Sequence, residues 1–177
     1  MREVLFAAAV SLSPLLAQAA GPFTLGSADI KAGAIIADKF TYKGYGCHGD
    51  NISPALAWHN APAGTRSFAL TVYDPDARAG KGWWHWVVFD IPATTTTLAE
   101  GSIPESAVQG RSDFGTPTYG GPCPPAGDKP HHYIFTLYAL DIDTLGLAAG
   151  TPAATVKNTI NHNTIGQASF TSLYSRR

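Results

Sequence analysis

At 177 residues the chain is long enough for one domain built on a single core. Only 14% of it is Asp, Glu, Lys or Arg, while 18 glycines and 13 prolines punctuate it, a composition that suits a β-rich domain with many turns better than a helical bundle. A formal net charge of -1 argues against a basic surface for nucleic acid or for an anionic membrane.

Residues 1–19 read as an export leader. Arg2 gives a basic start, 4–17 is apolar apart from Ser11, Ser13 and Pro14, and Ala17-Gln18-Ala19 is a small-x-small cleavage site. Read as a membrane anchor, the run is too short and is broken by Pro14. The expected mature unit is therefore one exported domain over 20–177, periplasmic or secreted. Export bears on Cys47 and Cys123, the two cysteines of the chain. In an oxidising compartment an even pair forms one disulfide more often than two free thiols. The rival reading, a nucleophilic cysteine, needs one thiol left free beside a histidine.

After the leader, 23–25, 35–37 and 40–42 read as short early strands, and 45–54 (YGCHGDNISP) as a loop. A short strand is expected at 55–59 and a turn on Pro62 and Gly64. In 67–74 Phe68, Leu70 and Val72 alternate with Ala69, Thr71 and Tyr73, the period of a strand with β-formers on both faces. The turn that follows leads into a strand at 85–91. Strict alternation there places His85, Val87, Phe89 and Ile91 on one face and Trp86, Val88 and Asp90 on the other. Residues 94–108 form a long connection and 109–119 a polar loop. The stretch 119–127 (YGGPCPPAG) must be irregular, because its prolines cannot donate to a ladder. A strand at 131–141 sets His131, Tyr133, Phe135, Leu137 and Ala139 against His132, Ile134, Thr136, Tyr138 and Leu140, so the two adjacent histidines point oppositely. One helix is expected late in the chain, with Thr151 as N-cap, Pro152 at the first helical position, Val156 and Ile160 on the apolar face and Gly166 as its stop. A last strand follows at 168–174.

The chemistry concentrates in two stretches, 73–92 and 119–141, each with polar groups at a strand end beside bulky aromatics. Asp74, Asp76, His85 and His131 could form an anion or phosphomonoester site, a metal site or a general acid/base pair. His and Asp suit zinc, but no HExxH or paired CxxC signature is present. For acid/base catalysis the residue types are right, yet no nucleophile elbow or oxyanion motif accompanies them. In the anion reading His85 and His131 donate, with protonation favoured by the nearby carboxylates. The aspartates would then fix histidine tautomers, cap loop amides or bind an amino group beside the anion. Each residue also has a purely structural reading. Asp74 and Asp76 would make an Asx-turn around Pro75, His85 would be a satisfied buried histidine, and Trp83, Trp84 and Trp86 would pack core and rim. His48, His59 and His162 read as structural or solvent-facing.

DPDA at 74–77, WWHWVV at 83–88, GDNISPALAW at 49–58 and GPCPPAGDKPHHYIFTLYAL at 121–140 together resemble the phosphatidylethanolamine-binding protein family, in its bacterial Raf kinase inhibitor-like branch. The resemblance covers nearly all of the mature chain. It implies a mainly β fold of antiparallel, sandwich-like sheets with a few short peripheral helices, and a small cavity for phosphate-like anions. Matched by motif, Asp74, Asp76, Trp83, His85, Tyr119, Pro124, His131 and Tyr133 would line that cavity, with His131 rather than His132 as the ligand histidine. Arg78 stands where the family often has proline, and Cys123 where eukaryotic members carry glycine. The expected function is a non-enzymatic, exported binding protein for phosphate or a phosphorylated head group, with no cofactor and no metal. Two alternatives are a regulatory inhibitor that meets a protease or kinase with the pocket rim, and a hydrolase using Asp74 with His85 or His131. The sequence leaves room for a protein partner or a homodimer.

Overall fold

The computed structural model describes residues 21–176; the leader read over 1–19 lies outside them. A five-stranded antiparallel sheet forms the centre, in the order β10 (Thr164–Tyr174), β9 (His131–Leu140), β5 (Ser67–Asp74), β6 (Trp83–Pro92), β8 (Val108–Gln109). A second sheet pairs β1 (Thr24–Gly26), β4 (Leu56–His59) and β7 (Thr97–Leu98), and a small hairpin joins β2 (Lys43–Gly44) to β3 (Cys47–His48).

The central sheet is apolar on both faces because both are covered. Phe68, Leu70, Val72, Trp86, Val88, Phe135 and Leu137 face the second sheet, where they meet Leu25, Leu56, Trp58 and Leu98. On the opposite face Ala69, Val87, Phe89, Tyr138 and Leu140 pack against Ala153, Val156 and Ile160 of the helix Ala153–Asn163. The protein is thus a sheet–sheet–helix stack, mainly β and antiparallel, and β5 at its middle is buried on both sides, as its two-faced pattern of β-formers requires.

Strict alternation fails along β6 at two bulges. Val72 pairs with Trp86 and the next residue, Tyr73, with Trp84, so His85 is the extra residue. Between Phe68↔Ile91 and Leu70↔Val88 the extra residue is Asp90, whose φ of 56° is left-handed and whose carboxylate accepts the Leu145 amide at 2.7 Å. Each bulge adds one residue and flips the parity. Ile91 therefore joins Trp86 and Val88, not Val87 and Phe89 as alternation predicts. His85 leaves the Val87 column in the same way and turns to the face that carries Tyr133. Along β9, which has no such interruption opposite β5, the expected faces hold.

Other departures are local. Residues 38–40, expected near a strand start, form a 3₁₀ turn (Asp38–Phe40), and 35–37 contributes a single bridge, Ile35 to Leu173. Pro152, not Thr151, is the helix N-cap: the Thr151 hydroxyl donates to Ala148 O at 2.7 Å, while Pro152 O accepts the amides of Thr155 and Val156. The helix ends at Asn163 and runs directly into β10, so Gly166 sits inside a strand beside a bulge, where a Cβ would meet the Pro62 ring.

Cys47 and Cys123 are joined in a disulfide with Cα atoms 6.0 Å apart. It ties the β2–β3 hairpin to the proline-rich loop, and the Tyr42 amide donates to Pro122 O at 3.0 Å alongside it. The approach is close enough that a Cβ on Gly121 would lie 2.1 Å from Phe40 O, so only glycine fits there. Because 76 residues of sequence separate the cysteines, chain entropy predicts that reduction lowers stability by about 4 kcal/mol. Thermal melts with and without reductant should show that loss, and unchanged melts would remove the strut from the account. Phe135, fully buried and stacked on Phe170 at 4.8 Å, should cost about 3–5 kcal/mol as Phe135→Ala in urea unfolding.

Candidate functional site

In an antiparallel sheet the end of a central strand lies between the beginnings of its two neighbours. Asp74 closes β5, Trp83 opens β6 directly opposite it, and His131 and Tyr133 open β9 on the other side. The sequence-distant stretches 73–92 and 119–141 meet for this reason. Asp74, Asp76, Trp83, His85, Pro124, His131 and Tyr133 surround one cavity of ≈ 600 Å³. Tyr119 is the exception among the expected residues. It is buried behind the site, where its hydroxyl donates to Phe40 O at 2.9 Å and its ring meets Trp86 edge-on, and it does not line the cavity.

Asp74, 2% exposed, organises the floor. Its Oδ1 accepts the amides of Asp76 (2.8 Å) and Ala77 (3.1 Å), and its Oδ2 accepts Nδ1–H of His131 at 2.7 Å. The turn-capping and histidine-orienting readings of this aspartate thus hold together. Asp76 instead turns outward. Its Oδ2 accepts both the amide and Nδ1–H of His132, each at 2.8 Å, which places His132 away from the cavity side chains, as opposite parity requires. Partial burial works to raise the Asp76 carboxyl, but the His132 amide and ring outweigh it and hold the group below the usual carboxylate range.

His85 is fully buried and donates from Nδ1 to Gly120 O at 2.7 Å, which fixes the Nδ1–H tautomer and leaves Nε2 as a lone pair. That Nε2 stands 4.0 Å from Asp74 Oδ2. Burial pushes the imidazole below its ordinary value, and the Gly120 carbonyl and Asp74 oppose this only in part. At neutral pH burial thus favours the neutral imidazole: the expected pull of the nearby carboxylates toward protonation is present but outweighed. Nε2 of His131 lies 3.4 Å from the half-exposed Asp128 carboxylate.

Two buried donors at this site lack partners: the Tyr133 hydroxyl and Trp83 Nε1. Burial first, then the Asp74 charge, drives the Tyr133 phenol upward, so its proton stays available for donation.

Sequence reasoning missed Tyr45, Ala77, Ala79, Phe114, Pro125 and Asp128, all of which line the cavity, as does Arg78, singled out in the sequence as a departure from the family pattern. Phe114 is the one with a readable sign, a large apolar ring in a polar, glycine-containing stretch. Its ring stacks on Tyr42 at 4.1 Å and meets Trp83 and His85 edge-on at 5.3 and 5.4 Å. Arg78 and Ala79 have left-handed backbones (φ 54° and 55°) in the turn Ala77–Gly80, and the Arg78 guanidinium lies 5.8 Å from the Trp83 ring centre. Among the described residues, no group of three or more His, Cys, Asp or Glu is placed to hold a metal ion.

Comparison with known proteins agrees with this architecture. The chain is 43% identical over 181 aligned residues to the UPF0098 protein YbcL of Escherichia coli, with 98% of each chain covered. The crystal structure of YbcL superposes with a TM-score of 0.86 at 44% identity, covering 89% of this chain and all of that one. YbhB of the same organism is also 43% identical, over 84% of this chain and 98% of its own. LppC of Mycobacterium tuberculosis, whose name calls it a lipoprotein, is 38% identical over 86% of this chain and 72% of its own. The profile described as phosphatidylethanolamine-binding protein matches residues 26–175. With that match spanning both halves of the site and nearly all of the described fold, the chain belongs to the phosphatidylethanolamine-binding protein family.

Proposed function

We propose that the cavity holds phosphate or a phosphorylated head group, and that the chain is an exported, non-enzymatic binding protein. The observation that carries this reading is the pair of unpartnered donors, Tyr133 O–H and Trp83 Nε1–H, buried beside the histidines. Leaving a donor buried and unpaired costs about 1–3 kcal/mol. An oxyanion in the cavity is the kind of acceptor such donors call for. The carboxylates do not oppose it as much as their number suggests, because Asp74 gives both oxygens, and Asp76 its Oδ2, to protein donors. Neutral His85 offers Nε2 as an acceptor, which matches the P–OH of a phosphomonoester monoanion, whose second pKa is about 6. Among the described residues no serine or threonine lines the cavity and Cys123 is held in a disulfide, which favours binding over nucleophilic turnover. Export is supported by the leader pattern, by a disulfide suited to an oxidising compartment, and by the lipoprotein name of one relative.

Calorimetric titration with inorganic phosphate and phosphoethanolamine tests the reading. Tyr133→Phe, which removes one oxygen and keeps the ring, should weaken binding about tenfold, the worth of a hydrogen bond to a charged acceptor. No binding by the wild type at any pH from 5 to 8, or equal affinity in both proteins, would overturn it.

Acidity gives a second test. The folded value of His85 lies below the unfolded value of about 6.5. The unfolded chain therefore takes up a proton that the native chain refuses. The histidine's contribution to stability is fully present above about pH 6.5 and is lost as pH falls toward the folded value. Urea unfolding of the wild type should weaken from pH 7.5 to 5.5, and His85→Gln should flatten that slope. Phosphate affinity should move the other way and tighten as pH falls. Parallel slopes in wild type and variant would show that His85 is not the titrating group.

A further inference from the structure

The buried polar groups of the cavity, Asp74, His85, His131 and the Tyr133 hydroxyl, gather on its floor. The cavity measures ≈ 600 Å³, within the range of about 300–1,000 Å³ typical of pockets for organic ligands and far more than a bare phosphate fills. Between floor and solvent Phe114 and Tyr45 both line the cavity, their ring centres 6.2 Å apart and planes 23° apart, with Tyr42 stacked on both but outside the lining. Phe114 stacks on Tyr42 (4.1 Å between centroids, planes 10° apart), and Tyr42 stacks on Tyr45 (5.6 Å, 13°). Phe114 also touches the His85 ring, so the ladder runs from the imidazole to the surface.

Its outermost rung is the informative one. Tyr45 is 75% exposed, yet it is held firmly from below. The disulfide anchors the chain two residues later, and Arg176 Nη1 donates to Tyr45 O at 2.9 Å. The Tyr45 backbone is left-handed, at φ 49°, a conformation that disfavours a bulky residue. A large ring kept at a rim, in solvent, with its backbone in an unfavourable region and its carbonyl pinned, is a preformed contact surface. Gly120 allows the arrangement, since a Cβ there would lie 2.3 Å from the Phe114 ring.

We infer that the physiological ligand is an aryl ester of the oxyanion: a phosphate monoester on the floor, its flat aromatic group laid along Phe114 and Tyr45. This rests on the oxyanion reading given above and adds the class of the group the anion carries. Stacking surface of this kind favours a planar substituent over a small polar or a flexible alkyl one, because offset ring contacts add to simple area burial.

The test compares phenyl phosphate, methyl phosphate and hexyl phosphate by calorimetry on the disulfide-bonded protein. Phenyl phosphate should bind roughly tenfold tighter than methyl phosphate and tighter than hexyl phosphate. The phenyl-to-methyl ratio should fall to within about threefold in Tyr45→Ala and again in Phe114→Leu. The ratio is read rather than the absolute affinity, and Tyr45, being exposed, can be truncated without opening the core. A ratio near one in the wild type, hexyl phosphate binding as tightly as phenyl, or a ratio unaltered in both variants would overturn the aryl assignment while leaving the oxyanion reading intact. Failure of all three esters to bind would overturn both.

Discussion

The Asp74 carboxyl group is the constraint on which the rest of the site depends. It is buried at the end of the middle strand of the central sheet, and burying a carboxylate costs several kcal/mol unless its oxygens are satisfied. Three donors satisfy it: two amides of the turn that leaves β5 and one imidazole from β9. The same group therefore shapes the β5–β6 connection and orients His131. Removing a partner from such a cluster would leave a polar group stranded, which is why cavity wall and cavity chemistry cannot vary independently.

The bulge at His85 completes the arrangement. Without the extra residue, alternation would send the His85 ring toward the helix-covered face, with Val87 and Phe89. The inserted residue turns it to the face of Tyr133, next to Asp74. Burial then dominates its protonation: the cost of a charged imidazole in this enclosure exceeds what the Gly120 and Gly121 backbone and the Asp74 and Asp113 carboxylates return. The floor offers lone pairs and neutral donors together, a combination that selects a ligand able both to accept and to donate hydrogen bonds.

A separate set of forces holds the outer wall. The proline-rich loop 119–127 makes few ladder contacts, and its position comes from the disulfide to β3, from the Tyr42–Pro122 hydrogen bond and from Asn51, whose side chain donates to Tyr119 O and accepts the Gly121 amide. Tyr119, expected in the cavity, belongs to this support. Its hydroxyl is consumed by Phe40 O, so it fixes the loop from behind rather than meeting a ligand.

Much of this was legible in the residues alone. The period-two runs at 67–74 and 131–141 reported strands and the residues that share each face, because alternation along an uninterrupted strand is set by the backbone itself. The opposite orientation of His131 and His132 followed from the same rule. The motif blocks pointed to seven of the residues that surround the cavity, and the even cysteine count in a chain read as exported pointed to the disulfide. What the linear pattern did not carry was anything that depends on an inserted residue or on a neighbour distant in sequence. The side to which His85 turns was decided by a bulge, which shows no mark in composition. Its charge state was decided by burial, a property of the packed molecule. The aromatic wall was decided by a hairpin, at 42–45, and a loop, at 114, brought together by the fold. Local periodicity is written along the chain, but enclosure is made only when strands far apart in sequence close over the same volume.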